Sequence, residues 1–129
     1  LIDDSLVRGS TLKGLIYKIR NAGAKSVHLR IMSPPIVAPC FYGINMPTVK
    51  ELMAPKYTTY EGNIPVKTKH ENIAKEFSVE SMHYLTFDDM IASSGVENIL
   101  CEGCTKGIYP TRFGTKNYEI AVQKFLKKK

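Results

Sequence analysis

Apolar residues fall at helical spacing near the start of this chain and then alternate. Leu12, Leu15, Ile16 and Ile19 stand at i, i+3, i+4 and i+7, the pattern of an amphipathic helix over residues 10–22. Gly23 is its natural stop. Val27, Leu29 and Ile31 alternate with polar neighbours in Ser26–Ile31, which predicts a strand with one buried face. Ahead of the helix, Leu1 and Ile2 read as the end of a buried strand. Strand, loop, helix, strand is a βαβ unit, so the two strands should be parallel with a right-handed crossover. Ligands of such sheets sit beyond the carboxyl ends of the strands, where Asp3 and Asp4 stand.

Ser33-Pro34-Pro35 ends the second strand. Thr48-Val49-Lys50-Glu51 has capping-box form and predicts a short helix. Residues 56–66 predict a loop. Thr68 to Glu71 predicts a cap for a helix over residues 69–77, and Tyr84 with Leu85 a brief extended segment. Thr86-Phe87-Asp88-Asp89 opens a helix that ends near Gly95. Tyr118, Ala121, Val122 and Phe125 predict a terminal helix over residues 117–127. The fold class is α/β, without repeats or low-complexity tracts beyond the lysine end.

At 129 residues the chain is one domain at most. It opens inside an element without an initiating Met, which reads as a piece of a longer protein. Net charge is +6, from 18 Lys+Arg against 12 Asp+Glu, and Lys124, Lys127, Lys128 and Lys129 supply part of it. Basic and aromatic residues are not interleaved and no recognition motif occurs, so attraction of phosphates fits better than nucleic acid, and a generic solvated basic surface fits better still. No apolar run approaches the ~18 residues of a membrane span, and these residues hold no signal-peptide pattern. Three cysteines that include a Cys-x-x-Cys pair suggest a reducing, cytoplasmic compartment and a metal rather than a disulfide framework.

The candidate chemistry lies in two places. The first is Asp3-Asp4-Ser5-Leu6-Val7-Arg8-Gly9-Ser10-Thr11. Backbone N–H groups at a turn and a helix start attract an anion, and Gly9 lets the backbone approach it. The two carboxylates can accept from sugar hydroxyls or neighbour Mg²⁺. On these residues alone, a solvated turn with a capped helix is an equal alternative, and Arg8 could touch a ligand or face solvent. The second is Cys101-x-x-Cys104, open among zinc, redox and iron–sulfur uses, with Cys40 a third soft ligand far away in sequence. His28, His70 and His83 lack ligand spacing and read as surface or packing residues. Met46, Met53, Met82 and Met90 read as core filler.

The opening string resembles the motif by which type I phosphoribosyltransferases bind phosphoribosyl diphosphate (PRPP). The form Asp-Asp-Ser-(Leu/Ile)-Val-Arg-Gly-(Ser/Thr)-Thr is that of the glutamine amidophosphoribosyltransferases. Arg30-Ile31-Met32-Ser33-Pro34-Pro35-Ile36 with Pro39-Cys40-Phe41-Tyr42-Gly43-Ile44, and Cys101-Glu102-Gly103-Cys104 with Gly107-Ile108-Tyr109-Pro110-Thr111, are similar to two further segments of that family. The resemblance is dense over residues 1–54 and clear again over 81–114; none is evident over 55–80.

The resemblance implies the C-terminal portion of a type I phosphoribosyltransferase: a Rossmann-like parallel sheet with flanking helices, plus a cysteine-bearing region. Residues 1–54 would be the second part of the phosphoribosyltransferase domain, and 55–129 a helical, cluster-ligand region. The implied reaction converts PRPP and glutamine to phosphoribosylamine, glutamate and pyrophosphate in purine synthesis. The amides of Val7, Arg8, Gly9, Ser10 and Thr11 would hold the 5′-phosphate, and Asp3 and Asp4 the ribose hydroxyls and Mg²⁺. Cys40, Cys101 and Cys104 match three ligands of a [4Fe–4S] cluster in one class of the family, whose fourth ligand lies upstream. Such a cluster would staple residues 96–116, where Gly103, Lys106, Gly107, Pro110 and Gly114 offer little to a core. Implied partners are PRPP, purine nucleotides, the upstream glutaminase and phosphoribosyltransferase portions, and further copies in a homo-oligomer; alone, the piece would be inactive. The alternative is a non-catalytic PRPP- or nucleotide-binding regulatory module or a structural subunit. The cysteine pattern and Ser33-Pro34-Pro35…Cys40-Phe41-Tyr42-Gly43 argue against it.

Overall fold

The computed structural model describes residues 1–96 and 100–128. β1 (Ile2–Asp3) leads through a loop to α1 (Ser10–Asn21) and β2 (His28–Ile31). After an irregular stretch and two 3₁₀ turns, Val49–Glu51 and Ala54–Tyr57, come β3 (Thr58–Glu61), β4 (Ile64–Thr68), α2 (His70–Phe77) and β5 (Ser81–Tyr84). α3 (Phe87–Ser94), α4 (Gly103–Lys106) and α5 (Arg112–Leu126) follow. Among the described residues, no helix is long and apolar enough to cross a membrane.

The frame is a parallel three-stranded sheet in the order β1-β2-β5. Ile2 lies opposite Arg30, and Leu29 opposite Met82. The alternation in β2 buries Val27, Leu29 and Ile31, against Leu12 and Ile16 of α1, Ile73 and Phe77 of α2 and Met82 of β5. Leu15 is exposed, because it stands at the margin of the helical stripe whose centre is Leu12 and Ile16. Gly23, at φ 96°, closes α1 as expected: its N–H donates to Arg20 O, and Ala24 N–H donates to Ile19 O. The end-of-strand reading of Leu1 and Ile2 holds, but their burial does not. β1 is an edge strand, and Ile2 is 70% exposed.

Residues 56–66 are not a loop. β3 and β4 form an antiparallel hairpin joined by Gly62-Asn63, with Glu61 opposite Ile64. Gly62 takes φ 59°, which a two-residue hairpin turn requires. The register shifts after Thr59, and Val66 is the extra residue that results. The brief segment at Tyr84 is a full strand, Ser81–Tyr84. α5 begins at Arg112 rather than 117, because Thr111 Oγ1 accepts from Gly114 N–H and caps it. The Thr48–Glu51 capping box forms, as does the Thr86 cap of α3. Met46, Met53 and Met82 are buried. Of the lysine tail, Lys129 lies outside the described residues.

Arg20 ties α1 to the segments that lead into β2 and β5. Its guanidinium donates to Lys25 O at 2.9 Å, Ser78 O at 3.1 Å and both carboxylate oxygens of Glu80 at 2.7 and 2.8 Å. Glu80 also accepts from Val27 N–H at 2.7 Å. Arg20 first, then the Val27 amide, hold the Glu80 carboxyl down from an ordinary 4.5 to about 2. A depressed carboxyl stabilises the fold above its unfolded pKa and loses that contribution as pH falls. Glu80→Gln should therefore flatten the pH dependence of the denaturation midpoint between about pH 4.5 and 2. Parallel wild-type and variant curves across that window would show that the ion pair contributes nothing.

Candidate functional site

The loop between β1 and α1 encloses a cavity of about 220 Å³, lined by residues of Asp3–Leu12 alone, Asp4 excepted. Its shape follows from two anchors. Leu6 is buried in the sheet core, and Val7 O accepts from Met53 N–H at 2.8 Å. Gly9 then turns the chain at φ 82° into α1. A Cβ on Gly9 would lie 2.6 Å from Phe77 Cζ and 3.0 Å from Met53 Cε, so the position needs glycine for its backbone angle and for space.

With glycine as N-cap, no side chain caps α1. The first-turn N–H groups of Ser10, Thr11 and Leu12 are left for an external acceptor, at the positive end of the helix. The Ser10 and Thr11 side chains are exposed beside them. At the other end of the loop, Asp3 Oδ1 accepts from Asp4 N–H at 3.1 Å, and Asp4 Oδ1 accepts from Ser5 Oγ at 3.2 Å. The arrangement juxtaposes anion-seeking amides with two acceptor-rich carboxylates, a pairing suited to a phosphate ester that also carries hydroxyl groups.

Arg8 neither lies free nor turns its guanidinium to the cavity's donors. Nε and Nη2 donate to Glu51 Oε2, Nε at 2.8 Å, and Nη2 also donates to Asn45 O at 2.9 Å. Glu51 in turn accepts from Thr48 N–H and Oγ1. The Thr48 amide first, then Arg8, hold the Glu51 carboxyl below its usual range. The side chain of Arg8 thus fastens the loop to the Val49–Glu51 turn, and its amide stays with the cradle. Sequence reasoning missed the supports Phe77, Met53 and Glu51. Only Glu51 carried a signal, the capping box.

The cysteines gather on the other side of that turn. Cys40 and Cys104 pack on Ile36, Met46 and Leu52, and Cys104 O accepts from the Val37 and Ala38 N–H groups at 2.8 and 3.0 Å. Burial pushes the Cys104 thiol up, and Cys40 and then Cys101 push it further. The Tyr109 hydroxyl is pushed up by burial first, and all three thiols contribute. Cys101 is exposed, Cys40 and Cys104 are half-buried, and all three are free. Chain positions far apart in sequence therefore do come together. Yet among the described residues no three or more His, Cys, Asp or Glu side chains are gathered as a site for a metal ion. The histidines are packing or surface residues: His28 Nδ1 meets Ser81 Oγ at 2.9 Å, and His70 contacts His83 and Tyr84 edge-on.

The described part of residues 96–116 is not as poor in core as its glycines suggest. Tyr109 and Tyr118 pack with Ala38 and Val122 into a cluster of their own. Gly103, Gly107 and Gly114 are the smooth surfaces those rings lie on: a Cβ there would stand 2.7 Å from Tyr109, 2.7 Å from Tyr118 and 2.8 Å from Tyr109, respectively.

No family model matches the chain. It is 42% identical over 111 residues to the amidophosphoribosyltransferase of Methanocaldococcus jannaschii, and 44% identical over 112 residues to that of Methanothermobacter thermautotrophicus. Each match takes in 86% of this chain and 21% of the relative, so the chain spans about a fifth of their length. A stretch of 111 residues within 129 cannot avoid residues 55–80, so the similarity runs through the segment where none was evident. The glutamine PRPP amidotransferase of B. subtilis, solved with ADP and GMP, superposes with a TM-score of 0.68 at 34% identity, over 86% of this chain and 23% of that one.

Proposed function

We infer that this chain, homologous to one segment of the amidophosphoribosyltransferases, serves as the PRPP-binding part of such an enzyme, with residues 1–54 forming the phosphate site and 55–129 the cysteine-bearing region. The observation that carries this reading is the loop: an uncapped helix start entered through a left-handed glycine, around a cavity that its own residues line. The amides of Val7, Arg8, Gly9, Ser10 and Thr11 bind the 5′-phosphate, and the Ser10 and Thr11 hydroxyls add bonds. Asp3 and Asp4 accept from the ribose hydroxyls.

The reaction puts ammonia on the ribose carbon that loses pyrophosphate. Positive charge develops on the ring as that bond breaks, and two carboxylates beside the ribose lower its energy. Asp3 and Asp4 also offer hard oxygen donors that suit Mg²⁺, which when bound supplies charge neutralisation for the leaving pyrophosphate. The donor chemistry of Cys40, Cys101 and Cys104 suits a cluster, but these are the chain's three cysteines, and a [4Fe–4S] cluster takes four thiolates. The fourth must come from outside this chain. Glutamine hydrolysis, purine-nucleotide binding, assembly into a homo-oligomer and a cytoplasmic setting belong to the same proposal. The chain by itself is expected to turn over no PRPP.

Titrating the ¹⁵N-labelled chain with ribose 5-phosphate, and separately with inorganic phosphate, tests the site. The amides of residues 7–11 should shift with both. Asp3→Asn combined with Asp4→Asn should weaken ribose 5-phosphate more than about 100-fold, since hydrogen bonds to charged groups contribute about 1.5–3 kcal/mol each. Inorganic phosphate binding should change little. Shifts that avoid residues 7–11, or equal losses for both ligands, would sink the assignment.

A further inference from the structure

A groove of about 560 Å³ lies apart from the phosphate loop. It is bordered by residues 66–69, at the end of β4, and by residues 79–83, through β5, with α2 between them. Successive strand residues point to opposite faces. A cavity touched by Ser81, Met82 and His83, three consecutive residues of one strand, therefore runs along its backbone edge.

That edge is unpaired. β5 bonds to β2 on one side only. Arg30 and Met32 N–H donate to Leu1 O and Asp3 O at β1, and Leu85 N–H donates to Ile31 O. With His28 opposite Ser81 and Ile31 opposite Tyr84, Ser81 and His83 face β2, and the alternation of a parallel ladder turns the N–H and C=O groups of Met82 and Tyr84 to the other side. Edge strands are usually blunted by a proline or a bulge. β4 has both, in Pro65 and the extra residue Val66, while β5 has neither.

The walls are basic on balance. Lys67, Lys69 and Lys75 line the groove and form no ion pair among the described residues. Two carboxylates reach it: Glu80, which is held by Arg20, and Glu71.

We propose that β5 accepts one more strand: the groove between β4 and β5 docks an extended acidic segment of a partner protein. That segment pairs with the backbone of Met82 and Tyr84 and sets carboxylates against Lys67, Lys69 and Lys75. Backbone bonds supply affinity and the lysines select the partner. A second copy of this chain fits worse, because edge-to-edge pairing would bring the same three lysines against each other.

The probe is a capped peptide of about eight residues alternating glutamate with valine or threonine, the length of an ordinary strand. Its counterparts carry lysine for glutamate, or N-methyl groups at alternate amides. Added to the ¹⁵N-labelled chain, the acidic peptide should protect the Met82 and Tyr84 amides from exchange. The lysine peptide should bind about tenfold more weakly, and the N-methylated peptide should lose protection at both positions. Lys67→Glu with Lys69→Glu and Lys75→Glu should reverse the charge preference. If that variant does not fold, the peptide comparison on the unaltered chain decides. Binding indifferent to peptide charge, protection confined to other residues, or a dimer in sedimentation whose own β5 amides are already protected would each overturn the proposal.

Discussion

Gly9→Ala is expected to destabilise the chain by about 2–5 kcal/mol, although it adds a single methyl group. The left-handed backbone at φ 82° costs a residue with a Cβ about 1–2 kcal/mol. Forcing that carbon to within 2.6 Å of the buried Phe77 ring adds the roughly 1–3 kcal/mol of an overpacked core. The comparison that isolates these causes lies five residues away. Gly14 is inside α1, exposed, with nothing within 4 Å of its would-be Cβ. Gly14→Ala should stabilise by about 0.5–1 kcal/mol. Urea midpoints of the two variants should move in opposite directions. Functionally, relief of the clash must push the loop off Phe77, so the amides of residues 7–11 should lose their response to inorganic phosphate. A Gly9→Ala chain as stable as wild type would mean that α2 does not buttress the loop. A destabilised chain that still binds phosphate would separate the packing role of Gly9 from the cradle.

The βαβ core was legible because each element had a local cause written within it. The 3.6-residue period of Leu12, Ile16 and Ile19, the alternation at Val27, Leu29 and Ile31, and Gly23 are signals that tertiary contacts did not need to correct. The hairpin failed for a definable reason. Thr58-Thr59-Tyr60 followed by Gly62-Asn63 is a strand and a two-residue turn, but Pro65 reads as a strand breaker. It is tolerated there because β4 pairs on one side only and a bulge follows it. β5 was underestimated since a short strand in a parallel sheet owes its place to a neighbour distant in sequence, here His28–Ile31. In the site, residue types and spacing pointed to the loop and to the three cysteines. They could not point to Phe77, which acts through the empty side of a glycine, or to the Arg8–Glu51 pair, whose partners stand 43 positions apart.

The second large effect should come from Tyr109, the pivot of the cysteine region. Its ring is buried and packs against Tyr118 at 5.4 Å and Phe41 at 5.2 Å, and its hydroxyl donates to Pro39 O at 2.6 Å. One residue thus joins the segment next to Cys40, the helix that holds Cys104 and the long α5. Tyr109→Ala should cost about 3–5 kcal/mol, as for other buried aromatic truncations. Tyr109→Phe keeps the packing and leaves Pro39 O without its donor, for about 1–3 kcal/mol. The thiols supply a second readout that a uniform loss of stability would not imitate. Burial holds the Cys104 thiol above its ordinary range. Opening the cluster lets it fall back, so more thiolate is present at a given pH and the thiol reacts faster. Under conditions where both variants remain folded, Cys104 should react with a disulfide reagent faster in Tyr109→Ala than in wild type, while Tyr109→Phe should match wild type. Equal rates in all three chains would mean that Tyr109 stabilises α5 without shaping the surroundings of the cysteines, and the coupling between the aromatic cluster and the thiol site would have to be abandoned.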